Sequence, residues 1–293
     1  MNIFNRGNNK IIWLFILPSI MGYLLFSLIP MVAAIGLSFS SWDIIGGSPE
    51  FVGLDNYFKI FGTEEFYRVI LNTGKYIAMY IPMILISSMT LAVLFNSKVK
   101  GIGIFRVLLF IPVLTSWIAG AMIWRTALST QYGLINNILL TVGIQGPGWL
   151  TDPKWAMFSI VLVSVWKDMG FFSLILFGGL RNIDQSLYEA ARIDGANRWQ
   201  MFWSVTFPLV SPTLFFVLIT TLINSFQLFP QVMVMTDGGP LGSTQVMVER
   251  IYKYGFRYYE MGYASALAVV LFIIIVVVTL VQLKLQKKWV YYE

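Results

Sequence analysis

The stretch YEAARIDGANRWQMFWSVTFP, residues 188–208, mixes charges of both signs with strong helix formers, and long apolar segments flank it on both sides. Glu189, Ala190 and Ala191 open it, Gly195 follows after three residues, and Val205, Phe207 and Pro208 close it after nine more. Alanine has high helix propensity and a small side chain, so another backbone can approach this helix closely. Gly195 admits a positive φ and predicts an elbow rather than one long rod. Trp199, Phe202 and Trp203 run along one side of the next segment as interfacial anchors. Pro208 is expected to end that segment and open the following span. The stretch therefore reads as a short charged lever tied to two apolar segments; the plain alternative is an ordinary polar loop.

The composition places those segments in a bilayer. Of 293 residues 57% are apolar and 12% charged, with a mean hydropathy of +0.74, whereas a soluble domain carries about 25% charge. Charge-free windows longer than about 18 residues mark membrane helices. The chain contains no Cys and no His. That excludes disulfides, imidazole or thiolate metal sites, and Ser-His-Asp or Cys-His catalysis. No metal site and no catalytic residue is expected. The net charge of +6 fits basic residues gathered in cytoplasmic loops, and a nucleic-acid partner is not expected.

Six spans are predicted, at about 11–38, 76–97, 106–128, 155–180, 209–235 and 261–283, in a single all-α polytopic domain covering 1–293 and surrounded by lipid. The first window is too long for a signal-peptide core and lacks an A-x-A cleavage site, so it is expected to remain. Pro30, Pro82 and Pro112 fall inside spans and predict kinks. An even number of spans puts both termini on one side. With that side cytoplasmic, eleven basic residues lie inside against eight outside. In the outer segments, VGLDNYFKIF (52–61) and YGLINNILLTVGI (132–144) are structured rather than linker-like, the second predicting a short interfacial helix. No G-x4-G-K-[ST] occurs, so the chain cradles no nucleotide. The energy for transport must come from a partner or an ion gradient.

The order EAA-x3-G-x9-V-x-F-P resembles the loop of binding-protein-dependent ABC importer permeases, with Val205 and Phe207 replacing the usual Ile and Leu. VGLDNY (52–57), WKDMGFF (166–172), MTDGGP (235–240) and GYASALAVVLF (262–272) resemble the sugar-permease branch of the maltose-transporter type. The resemblance implies the type I importer permease fold with cytoplasmic termini, in the cytoplasmic (inner) membrane of a prokaryote. It implies a second permease, two ATP-binding subunits that carry the ATP and Mg, and an extracytoplasmic solute-binding protein. This chain would be the first of the two permeases and bind no cofactor. The 181–208 loop would be the coupling helix, with Glu189, Ala190, Ala191, Asp194, Gly195 and Pro208 docking in the ATPase. Asp194 is also readable as a solvated charge.

Lys167-Asp168 lies at the centre of the fourth span, where a charge costs about 2.5–3.5 kcal/mol, so the pair should face a cavity or a partner. Ser164, Asp168 and Phe171 share a helix face. Through the resemblance they fall, with Thr221, Asn224, Ser225 and Gln227 of the fifth span, where a sugar pathway would be lined. Hydroxyls of a sugar need donors, acceptors and an aromatic face. The alternative is that these residues bridge neighbouring helices. Lys167 is readable as a substrate contact or as a pair for the sister permease. The expectation is an ATP-driven importer of a sugar or oligosaccharide. A glycerol phosphodiester or polyol importer, or an ion-coupled carrier using Lys167-Asp168 as relay, stays open.

Overall fold

The computed structural model describes residues 9–97 and 99–291. Apart from a two-residue hairpin, β1 (Ser40–Ser41) with β2 (Glu50–Phe51), and an isolated bridge between Asp43 and Glu260, the regular secondary structure of the described residues is helical. The helices are α1 (Trp13–Leu37), α2 (Asp55–Gly62), α3 (Glu64–Phe95), α4 (Ile102–Leu114), α5 (Trp117–Ala127) and α6 (Leu134–Thr141). They continue with α7 (Pro153–Arg181), α8 (Gln185–Ile193), α9 (Arg198–Phe226), α10 (Pro230–Met235), α11 (Met247–Tyr252) and α12 (Met261–Leu285). Five of these are long and apolar enough to cross a membrane; α4 and α5, bent by 99° at their junction, supply a sixth crossing if taken together. Backbone contacts divide the chain into two compact units, Met1–Thr63 with Ile251–Phe272, and Glu64–Arg250 with Ile273–Glu293.

In the first unit the VGLDNY segment closes the end of α1. Asn56 is buried and its amide donates to the carbonyls of Ser38 and Ser40, both at 2.9 Å. The Tyr57 hydroxyl meets that of Ser38 at 2.7 Å. Gly262 lies against the same turn, where a Cβ would sit 1.9 Å from the Ser40 carbonyl oxygen, so no other residue fits. The α1 window is apolar on every face and 0% buried by its own chain, the condition of a helix solvated by lipid or by another subunit.

The second unit is built on α3 against α7. Tyr76, Tyr80, Ile84 and Ala92 of the one pack with Val161, Phe172 and Leu176 of the other, and Val210, Leu214 and Val217 of α9 complete the core. Gly170 lets α4 come onto α7 backbone to backbone, since a Cβ there would meet the Leu109 carbonyl oxygen at 2.0 Å. Small residues at such crossings are how membrane helices gain packing. At the far end of α4 the Arg106 guanidinium donates to the Phe95 carbonyl, the last residue of α3, and lies 4.2 Å from the Phe177 ring centroid.

Three boundaries differ from the sequence expectation. The second span begins at Glu64 instead of near 76. Its charged first turns are held by polar bonds: Arg250 pairs with Glu65 at 2.7 Å and with buried Glu249 at 2.6 Å, and Asn72 donates to the Gly242 and Gln245 carbonyls. The third span is not one helix. Pro112 deprives its last turn of a donor, Thr115 turns extended (ψ 151°), and Ser116 caps α5 by accepting from the Ala119 N–H at 3.1 Å. The fifth span is longer at its start and shorter at its end. It runs unbroken from Arg198, and residues 230–235 form the separate α10. Pro208 does not end a segment, because residues 202–206 form a π turn in which the Phe207 N–H reaches the Phe202 carbonyl, widening the helix just before the ring. Pro30 is preceded by the same device at 24–28.

The break in the third span exposes carbonyls inside apolar surroundings, and Lys167 answers them. Its ammonium donates to the Pro112 carbonyl at 2.6 Å, to Thr115 at 2.7 Å and to Val113 at 3.3 Å, and lies 5.2 Å from the Trp117 ring. Replacing it by methionine keeps the volume and removes the lysine donor from the Val113 and Thr115 carbonyls, at a cost of about 1–3 kcal/mol each, while the Pro112 carbonyl keeps the Thr115 N–H at 3.2 Å. Lys167→Met is therefore expected to lower the apparent melting temperature of the detergent-solubilised protein by several degrees. An unchanged transition in a thermal-shift assay would remove this bond set from the causes of the bend.

Candidate functional site

The 181–208 loop folds as a stop followed at once by a start. Asp184 caps α8, its carboxylate accepting from the Ser186 N–H at 2.9 Å, and that backbone bond holds its pKa below the ordinary value. At the other end the Gly195 N–H bonds to Arg192 at 3.0 Å and the Ala196 N–H to Ala191 at 2.9 Å, with Gly195 at φ 80°. This is the Schellman closure, which needs a left-handed residue at that position. Asn197 then opens α9 in a capping box: it accepts from the Gln200 N–H at 2.9 Å while the Gln200 side chain accepts from its own N–H at 2.8 Å. Tyr188 meets Thr206 at 3.1 Å and ties the two arms. Along α9 the Trp199 and Trp203 rings meet in a T-shape at 5.6 Å and Trp203 lies tilted against Phe207 at 5.1 Å.

Glu189, Ala190, Asp194 and Gly195 are exposed on this lever, Ala191 and Pro208 are half-buried, and Ile193 at the tip is 86% exposed. The bonds that close the turn run through the backbone and the Asp184, Asn197 and Gln200 side chains, so Glu189, Asp194 and Ile193 hold none of them with their side chains. Nothing lies within 4 Å of where a Gly195 Cβ would go, so substitution there tests backbone conformation alone. Gly195→Ala is expected to cost about 1–2 kcal/mol locally and to speed amide exchange across 185–200. Gly195→Asn, which tolerates the left-handed region better, should recover part of it. Equal exchange in wild type and Gly195→Ala would show that the turn does not hold the lever.

The other sequence-chosen residues separate into two sets. Asp168, Phe171, Asn224 and Gln227 reach accessible surface. Ser164, Lys167, Thr221 and Ser225 are enclosed, and the three hydroxyls donate to the carbonyl four residues back in their own helix. Lys167 is engaged at the break of the third span, a role within the chain that its readings as substrate contact, partner pair or ion relay did not include. Asp168 accepts from the Tyr80 hydroxyl at 2.7 Å, and Tyr80 stacks on Tyr76 at 5.2 Å. Sequence reasoning passed over Tyr76, Tyr80 and Gln231. The spacing of two tyrosines one turn apart in an apolar span was the available signal for the first two. The buried Gln231, 3.5 Å from the Ser164 hydroxyl, lies in a segment the sequence assigned to a continuous fifth span. No group of three His, Cys, Asp or Glu side chains with metal-site spacing occurs among the described residues.

A cavity of about 610 Å3 opens at the ends of α5 and α10, lined among others by Arg125, Thr130, Gln131, Thr151, Met233 and Asp237. Arg125 spans its wall, donating to the Val234 carbonyl at 3.1 Å.

Long apolar helices, one crossing bent by 99° at a break, with an exposed polar lever between the fourth and fifth crossings, define a multi-pass membrane permease. Residues 76–291 match the family model described as the binding-protein-dependent transport system inner membrane component, and the chain belongs to that family. It is 37% identical to the probable ABC transporter permease protein YesP of Bacillus subtilis, over 98% of this chain and 94% of that protein. It is 36% identical to the arabinooligosaccharides transport system permease protein AraP of the same species (93% and 87%). To the trehalose/maltose transport system permease protein MalF of Thermococcus litoralis it is 34% identical (94% and 93%). Its fold is similar to that of a chain in a bacterial ABC transporter that imports alginate, with a TM-score of 0.84 over 96% of both chains at 24% identity.

Proposed function

We propose that this chain is one of two permease subunits of an ATP-driven importer of a sugar or oligosaccharide, in the cytoplasmic membrane of a prokaryote. The observation that carries the reading is the 184–200 lever, a rigid exposed elbow joined to two membrane helices in a chain with no nucleotide-binding loop of its own. Relatives named as permeases for arabinooligosaccharides and for trehalose and maltose, matched over nearly the whole chain, support the sugar class. The first-permease position in the resemblance supports a sister permease as partner. Two ATPase subunits, carrying ATP and Mg, would receive Glu189 and the Ala190–Ala191 surface in a groove. A solute-binding protein would deliver the substrate from outside. Closure of the ATPases would then move the lever, and through it α7 and α9, so that the pathway opens outward. Asp168, Phe171, Asn224 and Gln227 are the pathway candidates that reach accessible surface. Ser164, Thr221, Ser225 and Lys167 would support them from behind.

Two variants test the coupling. Glu189→Lys reverses the charge at the lever, and Gly195→Pro cannot adopt φ 80°. Both are expected to insert normally and to hydrolyse ATP in the reconstituted complex, with uptake per ATP reduced at least tenfold. Wild-type coupling in both would dismiss the lever from the mechanism. Purification of the tagged chain with neither a P-loop ATPase nor a second permease would count against the assembly itself.

A further inference from the structure

We infer that the cavity at the ends of α5 and α10 is a receiving subsite for a neutral sugar, separate from the Asp168 region; this rests on the sugar-importer reading above. Its size, about 610 Å3, falls within the range of about 300–1,000 Å3 of small-molecule sites. It lies at the segment between the third and fourth crossings, on the side opposite the lever by the count of spans. A solute arriving from outside would meet it before the middle of the membrane.

The lining narrows the ligand class. Arg125 supplies donors only and Asp237 carries a carboxylate, so one positive and one negative group share a wall and a net-charged ligand gains from neither sign alone. The Arg125 guanidinium is already committed in part to Val234. Gln131 offers donor and acceptor together. The Thr130 and Thr151 hydroxyls, 3.2 Å from each other, do the same. Donors and acceptors lining the same cavity as the apolar side chains of Leu128, Leu150 and Met233 suit a polyhydroxylated ring. No aromatic ring lines the cavity, so it lacks the stacking platform that holds sugars tightly. Binding there is weak and reversible, as a hand-over point requires.

The chain has no cysteine, which makes labelling direct. Gln131→Cys and Thr151→Cys, each in the complete transporter in proteoliposomes, would be labelled from outside with a charged thiol reagent, using the cysteine-free parent chain as the blank. Lactose, maltose, trehalose and arabinotriose would be added in turn, and each assayed for uptake by the same preparations. A sugar that is taken up is expected to slow labelling at both positions at least threefold. Labelling of Tyr132→Cys, at a neighbouring position 83% exposed and outside the lining, should stay unchanged. A transported sugar that leaves both rates as they were, or slows Tyr132→Cys equally, overturns the subsite and leaves the importer intact. Uptake of none of the four would instead count against the sugar reading and remove the subsite with it.

Discussion

The ammonium of Lys167 held in the carbonyls of Pro112, Val113 and Thr115 is the constraint on which the interior depends. A lysine in the middle of an apolar helix and a backbone that turns through 99° inside an apolar bundle are each costly alone. Together they satisfy each other, because the carbonyls left without helix donors where α4 ends at Leu114 need donors and the lysine needs acceptors. The bend releases α5 from the line of α4 and lets it pack on α10. This part of the second unit is thus assembled from the released half-helix α5 and the short α10, which follows α9 after Gln227–Phe229. Irregular backbone at membrane depth is tolerated where protein covers it, and here a single side chain provides much of the cover.

The same economy recurs at helix ends elsewhere. Arg106 closes the carbonyl end of α3, and the Gly195 turn closes α8 through backbone bonds alone. Basic groups are favoured at helix C-termini because the backbone leaves partial negative charge there. The lever is different in that it needs no charge for its own closure. Glu189, Arg192 and Asp194 are therefore spared from holding the turn.

Much of this was legible in the sequence, for identifiable reasons. Apolar windows located the spans because the bilayer demands about twenty residues free of charge, and the elbow at Gly195 was readable because few residues other than glycine take that conformation. The start of the second span was hidden, since Glu64, Glu65 and Arg68 look like loop charges until Arg250, 185 positions away from Glu65, supplies the ion pair. The break at Thr115–Ser116 was hidden too. A proline predicts a kink, and whether the helix bends or parts depends on a donor from another helix. Of the residues chosen for a pathway, type and spacing on one face could not separate the hydroxyls that bond back to their own helix, such as Ser164 and Thr221, from those that stay accessible. The relation of Tyr80 to Asp168 crosses 88 positions and carries no local signature.

The wide turn at residues 202–206 has a consequence for how the two arms of α9 are oriented. Inserting one residue into a helical turn advances everything beyond it by about 100°. On a regular helix Trp199, Trp203, Val210, Leu214 and Val217 would share one sector about 60° wide, and the wide turn swings the exposed aromatic pair away from the buried row. Proline 208 fixes where that phase slip occurs. Deleting one residue from 202–206 would rotate the membrane half of the helix against its surface half by more than a quarter turn, with every side chain unchanged in kind.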